Sequence, residues 1–317
     1  MKVVLLEDKK IVLQKVLDHE GNFQETLKQI FIENNIPAGI NCLATGTGGR
    51  YLLQMNNVIE SICIEESLKK YDYTVDAVVS LGGEDFVVYT IDPDGKIINN
   101  HSGNKCASGT GEFFKQQLGR MDMTLDDTQH LPEGCKVHPL SSRCSVFMKS
   151  DCTHKMNKGE ATKGDIVLSL SDVMATKVVD FLKRAKIHQG KVVLAGGVTK
   201  NRYITQFVKE KLPDVEFIVP EEASYFEAYG AALLAENSGS PLPDLDALFK
   251  PNKIDFGRYD NLQTVEDRVR YLESKRGKAV AGREYILGVD GGSTTTKVAL
   301  IDIETDEIVA AHYGRTH

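Results

Sequence analysis

The sequence contains no tryptophan and no apolar run long enough to cross a membrane. A spanning helix needs about 20 consecutive apolar residues, so we expect no membrane segment. An excess of basic residues is also missing, since 38 Lys and Arg stand against 45 Asp and Glu and give a net charge of −7. Nucleic-acid-binding proteins usually carry a basic surface, so we expect no nucleic-acid partner. The apolar stretch at residues 3–6 is too short for a signal peptide, and we expect a cytoplasmic protein.

Cysteine is scarce as well, and its six residues form no Cys-x-x-Cys pair. This spacing argues against a zinc ribbon and against a thioredoxin-type redox site. Disulfides are not expected in a reducing compartment. Because free cysteines behave mostly as small buried apolar residues, we interpret Cys42 and Cys63 as core, Cys135 as a loop residue and Cys152 as structural. The two remaining cysteines stand beside glycine-rich or charged motifs.

The pattern of apolar residues predicts a mixed α/β protein of about two domains. Residues 2–7 and 10–17 form two apolar runs joined by a charged turn, which indicates a hairpin. Helical periodicity covers residues 23–34, 58–70, 165–185, 201–211 and 224–237. Strands are indicated at residues 75–81, 86–91 and 191–195.

Glycine is plentiful, with 27 residues, and three Gly-Gly pairs each follow a predicted strand. Phosphate oxygens need several backbone N–H donors, and glycine lets the backbone approach without a Cβ in the way. Hydroxyl groups add donors, an aspartate can hold a metal-bound water and a lysine can neutralise charge. We therefore predict phosphate contacts at Gly82, Gly83, Gly291, Gly292, Ser293, Thr294, Thr295 and Lys297, and an adenosine site at Gly196 and Gly197. The alternative is that each Gly-Gly pair is simply a turn.

An internal repeat explains why one of these loops lies near the end of the chain. Residues 297–309 resemble residues 2–12, since both have a strand, a charged turn and a second strand, but a Gly-rich loop precedes only the later copy. If the copies are equivalent, residues 1–237 form a nucleotide-binding unit that lacks its first phosphate loop. Residues 238–283 are then a linker and residues 284–317 the opening hairpin of a second unit. Chance similarity between two short hairpins is the alternative.

Two phosphate hairpins and a strand–Gly-Gly–helix site resemble the superfamily of actin, sugar kinases, acetate kinase and heat-shock chaperones. Six stretches resemble one branch of it, at residues 44–50, 81–85, 104–111, 142–147, 195–198 and 229–232. That branch is the BadF/BadG/BcrA/BcrD type, the ATPase activators of 2-hydroxyacyl-CoA dehydratases and the ATPase subunits of benzoyl-CoA reductase. The resemblance is closest to long members with two units in tandem. It implies an α/β actin-like (ribonuclease H-like) ATPase fold with two lobes, in which helices flank mixed sheets.

The resemblance also implies cofactors and partners. ATP or ADP would bind with Mg²⁺, and Cys106 and Cys144 would hold a [4Fe–4S] cluster. Such a cluster takes four thiolates, so two cysteines per unit imply a cluster shared between two units, in a homodimer or an intramolecular pseudo-dimer. Residues 106–121 begin with a Gly/Ser/Thr-rich turn and continue as a predicted amphipathic helix, so Cys106 lies near a helix N-terminus, which stabilises a thiolate. An ATP-driven, low-potential electron would then pass from ferredoxin or flavodoxin to a CoA-ester dehydratase or reductase.

The sequence departs from this family at the second phosphate loop. Family members usually have aspartate at its start, where this chain has Ser80, and Glu84 stands where glutamine is common. We therefore take Ser80, Glu84, Asp85 and Asp290 as catalytic candidates, with Glu84 or Asp85 compensating for Ser80. Because residues 290–297 belong by the repeat to the next unit, we expect this chain to hold only part of an ATP site. The alternative functions are a cluster-free actin-like kinase or ATPase, and a non-hydrolysing unit that carries a cluster.

Overall fold

The computed structural model describes residues 1–19, 21–71, 74–102, 110–142, 144–250, 266–292 and 295–315. The chain divides into two compact units, residues 1–252 and residues 253–317. Part of the predicted linker belongs to the first unit, because Ser240–Pro241 pairs with Asn41–Cys42 in a short antiparallel ladder. The domain boundaries expected after residues 237 and 283 stay a prediction.

The elements of each unit follow in chain order. The strands of the first unit are β1 (Lys2–Glu7), β2 (Lys10–Val16), β3 (Asn41–Cys42), β4 (Ala77–Leu81), β5 (Phe86–Ile91), β6 (Ile97–Ser102), β7 (Gly190–Ala195), β8 (Val215–Ile218) and β9 (Ser240–Pro241). Its helices are α1 (Phe23–Glu33), α2 (Gly46–Leu52), α3 (Glu60–Leu68), α4 (Gly111–Arg120), α5 (Ser145–Asn157), α6 (Lys163–Arg184), α7 (Arg202–Lys211) and α8 (Phe226–Ser238). The second unit contains β10 (Tyr285–Gly291), β11 (Thr295–Asp302) and β12 (Ile308–Arg315).

A five-stranded mixed sheet with the order β6-β5-β4-β7-β8 forms the centre of the first unit. Strand β4 pairs antiparallel with β5 and parallel with β7. The central strands are apolar runs without alternation because both faces of the sheet are covered, as the full burial of Val78, Val79 and Val193 shows. Ser80 pairs with Ala195, so β4 and β7 end side by side. Ligands of open α/β sheets bind beyond such carboxyl ends.

Helix α6 covers one face of this sheet and contributes the largest share of the core. Thr162 caps its first turn, since its hydroxyl accepts the Asp165 N–H at 3.2 Å while the Asp165 carboxylate accepts the Thr162 N–H at 2.8 Å. This reciprocal arrangement satisfies two N–H groups that the helix leaves without partners. Ile166 and Leu170 then face the core with 1% exposure or less. The apolar periodicity predicted this helix to within two residues at each end.

The hairpins of the two units share their geometry, as the internal repeat predicts. Strands β1 and β2 are antiparallel with an irregular register between Leu5 and Leu6. Strands β11 and β12 are antiparallel with the same irregularity between Leu300 and Ile301, which the repeat matches to Leu5 and Leu6. In the second unit β10 pairs with the other edge of β11. Within the described residues of the first unit β1 pairs with β2 alone, and an apolar cavity of about 830 Å³ lies beside β1.

Candidate nucleotide site and cysteine positions

The turn between β4 and β5 holds the first Gly-Gly pair at the end of the central sheet. The Gly82 N–H donates to the Asp85 carbonyl at 2.8 Å and closes the turn. The carbonyls of Gly82 and Gly83 accept the N–H groups of Gly111 and Glu112 at 3.1 and 2.9 Å. The turn is therefore attached to the first residues of α4. A side chain at Gly83 would meet open space, so its backbone is accessible to a ligand.

The second Gly-Gly pair follows β7 and lies against the end of β4. Gly196 has φ +96° and ψ 162°, a backbone region that is essentially restricted to glycine. A Cβ at Gly196 would lie 2.1 Å from the Leu81 carbonyl oxygen, whereas a Cβ at Gly197 would meet nothing within 4 Å. Gly196 thus lets the two strand ends meet, and Gly197 presents bare backbone. The structure brings the predicted phosphate turn and the predicted adenosine site to one end of the sheet.

The Gly-rich hairpin of the second unit repeats the turn geometry of the first. The Gly292 N–H donates to the Thr295 carbonyl at 3.0 Å, as Gly82 does to Asp85. Asp290 pairs across the strands with Lys297, seven residues later, as Ser80 pairs with Val87. Ser80 and Asp290 therefore occupy the same register position in two hairpins of similar turn geometry. The Lys297 ammonium donates to the Asp290 carboxylate at 2.8 Å.

Ser293 and Thr294 lie outside the described residues. A Cβ added at Gly291 would meet no atom within 4 Å. The roles predicted for the residues of this second hairpin stay predictions.

Glu227 contacts the predicted candidate Ser80, although no role for Glu227 was predicted from the sequence. It lies in the first turn of α8, and its carboxylate accepts the Ser80 hydroxyl at 2.6 Å and the Lys2 ammonium at 3.2 Å. Its side chain is 13% exposed. Burial raises the pKa of Glu227, but the charge of Lys2 and the hydrogen bond from Ser80 outweigh it and hold the pKa below its ordinary value. The sequence feature that could have indicated this residue is its position, since an acidic residue stands two positions before the family stretch at residues 229–232.

Tyr89 lies within the influence of Glu227 and of two further acidic groups. Burial, with the charges of Glu60, Glu227 and Asp85, raises the pKa of Tyr89 to about 12. Asp85 is exposed on the phosphate turn, as is Glu84 beside it. The catalytic roles of Ser80, Glu84, Asp85 and Asp290 stay predictions.

Cys144 lies at the N-terminus of α5, where its carbonyl accepts the Met148 N–H at 3.0 Å. It is free and half-buried. Two apolar side chains follow it in the first turn, Val146 with 67% and Phe147 with 64% exposure. Cys106 lies outside the described residues. Among the residues that are described, no group of three or more His, Cys, Asp and Glu side chains is suited to hold a metal ion.

The other described cysteines differ from Cys144 in their surroundings. Burial raises the pKa of the Cys63 thiol to about 11, and it does the same for Cys152. Burial also raises the pKa of Cys42, whose thiol donates to the Ser240 carbonyl at 3.3 Å. Cys135 is half-buried in a loop. The interpretation of Cys63 as a core residue is confirmed, and Cys152 is buried as well, whereas Cys42 is only half-buried.

The sequence profile of the BadF/BadG/BcrA/BcrD ATPase family matches residues 61–235, more than half of the chain. The chain belongs to this family. The resemblance, the α/β actin-like ATPase fold and the assignment as an ATPase are thereby confirmed. No helix in the described ranges combines the length and the apolar character that crossing a bilayer requires.

Two activator ATPases are similar to this chain over about three quarters of its length or more. The (R)-2-hydroxyglutaryl-CoA dehydratase activating ATPase of Acidaminococcus fermentans is 28% identical over 245 residues, which cover 74% of this chain and 92% of the relative. The crystal structure of component A of that organism's (R)-2-hydroxyglutaryl-CoA dehydratase matches with a TM-score of 0.62 and 25% identity, over 74% of this chain and 92% of that chain. The ADPNP-bound activator of the 2-hydroxyisocaproyl-CoA dehydratase from Clostridium difficile matches with a TM-score of 0.62 and 20% identity, over 86% and 94% of the two chains.

Proposed function

We propose that this protein is an ATP-dependent activator that delivers a low-potential electron to a CoA-ester dehydratase or reductase. The electron would be carried on a [4Fe–4S] cluster shared between two units. The names of the relatives support the activator role, since they are activators of 2-hydroxyacyl-CoA dehydratases. The observation that carries the proposal is the attachment of the Gly82–Gly83 turn to the start of α4. Cys106 precedes Gly111, the first residue of that helix, by five residues.

ATP would bind at the end of the central sheet with its phosphates toward the turn of Gly82 and Gly83. The adenosine would lie against Gly197, where no side chain blocks its approach. Mg²⁺ prefers oxygen ligands and keeps several waters. The exposed carboxylates of Glu84 and Asp85 would accept hydrogen bonds from these waters. We propose that Asp290 and Lys297 serve the phosphate site of the unit that their own hairpin opens.

The donor set of the first unit fits a thiolate ligand at Cys144. A helix N-terminus stabilises a thiolate, whereas burial keeps Cys63 and Cys152 protonated. Cys106 and Cys144 together supply two of four ligands, which calls for a homodimer or an intramolecular pseudo-dimer. The exposed Val146 and Phe147 fit a surface that the other cluster-sharing ATPase unit of such a dimer or pseudo-dimer covers. When bound, the cluster supplies a one-electron carrier.

The hydrogen bonds between the phosphate turn and α4 connect the proposed nucleotide site with the segment that bears the proposed cluster ligand Cys106. A shift of Gly82 and Gly83 on ATP binding or hydrolysis would move Gly111 and Glu112, and with them the segment that bears Cys106. For one electron about 59 mV corresponds to roughly 1.4 kcal/mol, so a modest change at the ligands alters the driving force. A ferredoxin or flavodoxin in the reducing cytoplasm would supply the electron.

The test is anaerobic reconstitution with iron and sulfide, followed by iron analysis and ATPase measurement on the same sample. We expect about two iron atoms per chain if two chains share one four-iron cluster. Cys106→Ala and Cys144→Ala should lose this iron, while the matched control Cys135→Ala retains it.

Each other outcome has a distinct meaning. An iron-free wild-type chain that hydrolyses ATP would establish the cluster-free ATPase instead. An iron-loaded chain without ATP turnover would establish a unit that only carries the cluster.

A further inference from the structure

The two Gly-rich hairpins differ at one chemically important position. Asp290 gives the hairpin of the second unit a carboxylate at the end of β10, but the same register position of the β4–β5 hairpin is occupied by Ser80. In the hydrolysis of the β,γ-phosphoanhydride bond of ATP, a hydrogen-bond acceptor orients the attacking water. A serine hydroxyl alone carries no negative charge for this purpose.

Glu227 brings a carboxylate to the position that Ser80 leaves without one. Its two oxygens accept separate hydrogen bonds, from Ser80 at 2.6 Å and from Lys2 at 3.2 Å. The repeat matches Lys2 to Lys297, whose ammonium donates to Asp290 at 2.8 Å. The two matched lysines thus each pair with a carboxylate, Lys297 with Asp290 of its own hairpin and Lys2 with Glu227 of α8.

We propose that Glu227 replaces the missing aspartate of the phosphate loop and acts through Ser80 as a positioning residue for ATP hydrolysis. This inference rests on the proposed ATPase function of the first unit. Because Ser80 donates its only hydroxyl hydrogen to Glu227, its oxygen lone pairs are available to accept a hydrogen bond from the attacking water. The water oxygen forms a bond to the γ-phosphorus while the bond to the β,γ-bridging oxygen breaks. ADP leaves with that electron pair, and the water proton is released to solvent.

The surroundings keep the Glu227 side chain ionised and in place. Its neighbours come from several elements, with Lys2 on β1, Ser80 on β4, Tyr89 on β5 and Cys63 on α3. Lys2 is the cation among them, and Glu60 and Asp85 add negative charge around Tyr89. Since the pKa of Glu227 lies below its ordinary value, the carboxylate is an acceptor at neutral pH and not a proton store.

The decisive variant is Glu227→Gln, which keeps the shape of the side chain and removes its charge. We expect kcat for ATP hydrolysis to fall about 10- to 100-fold, the usual cost of losing a residue that orients a catalytic group, while KM for ATP stays close to the wild-type value. Glu236→Gln, an exposed position on the same helix, is the matched control and should keep full activity. The double variant Ser80→Asp/Glu227→Gln returns the carboxylate to the strand and should recover most of the lost rate.

The pH profile separates positioning from a merely structural role. Lys2→Met removes the charge that lowers the Glu227 pKa, so the acid limb of kcat should move to higher pH. Thermal unfolding and binding of a fluorescent ATP analogue are measured on every variant, so that loss of fold or of nucleotide is seen directly. Wild-type kcat in folded Glu227→Gln would overturn the inference, as would an unshifted acid limb in folded Lys2→Met. A wild-type chain that turns over no ATP would instead refute the proposed ATPase function.

Discussion

Replacing Gly196 by alanine is expected to destabilise the first unit severely. Gly196 has φ +96° and ψ 162°, and forcing another residue into this region costs about 1–3 kcal/mol. The new Cβ would also lie 2.1 Å from the Leu81 carbonyl oxygen, which is backbone and cannot turn away. Overpacking of this kind costs about 1–3 kcal/mol more. The sum of about 2–6 kcal/mol is a large part of the 5–15 kcal/mol that typically stabilises a domain.

Gly197→Ala is the matched control, because the next residue has open space at its Cβ and no positive φ. Its free energy of unfolding should stay within about 1 kcal/mol of the wild type. Urea unfolding followed by circular dichroism measures both variants. Gly197→Ala should nevertheless weaken ATP binding, since the adenosine is proposed to lie against its bare backbone. Equal unfolding midpoints for the two alanine variants would refute the inference that only glycine at position 196 lets the ends of β4 and β7 meet.

Two further predictions concern stability. Thr162→Ala removes the capping box of α6 and should lower the free energy of unfolding by about 1 kcal/mol, with Thr153→Ala, on the exposed face of α5, as the control in the same urea assay. The pKa of Glu227 is lowered by folding, so its contribution to stability is present above the ordinary pKa of 4.5 and is lost as the pH falls through the lower folded value. In Glu227→Gln the thermal midpoint should therefore fall less on acidification than in the wild type, and parallel curves for the two proteins would contradict this assignment.

Local patterns were sufficient for the elements whose apolar residues lie on one face. The β1–β2 hairpin, α1, α6 and α7 were predicted within two residues of their ends. Helix α5 was missed because its apolar residues point both ways, with Met148 buried and Phe147 exposed. Helix α2 was not predicted because three of its seven residues are glycine, which weakens helix propensity.

The candidate site, like the fold, was only partly predictable from the sequence. The sequence by itself determined the family, the Gly-rich turns and the absence of aspartate at Ser80, because these depend on neighbouring residues and their spacing. Only the tertiary structure brought Glu227 to Ser80 and Lys2, which lie far from it in the chain. Their contact depends on how α8, β4 and β1 pack together. No periodicity along the chain records that arrangement, since a hydrogen bond between distant residues depends on distances in space.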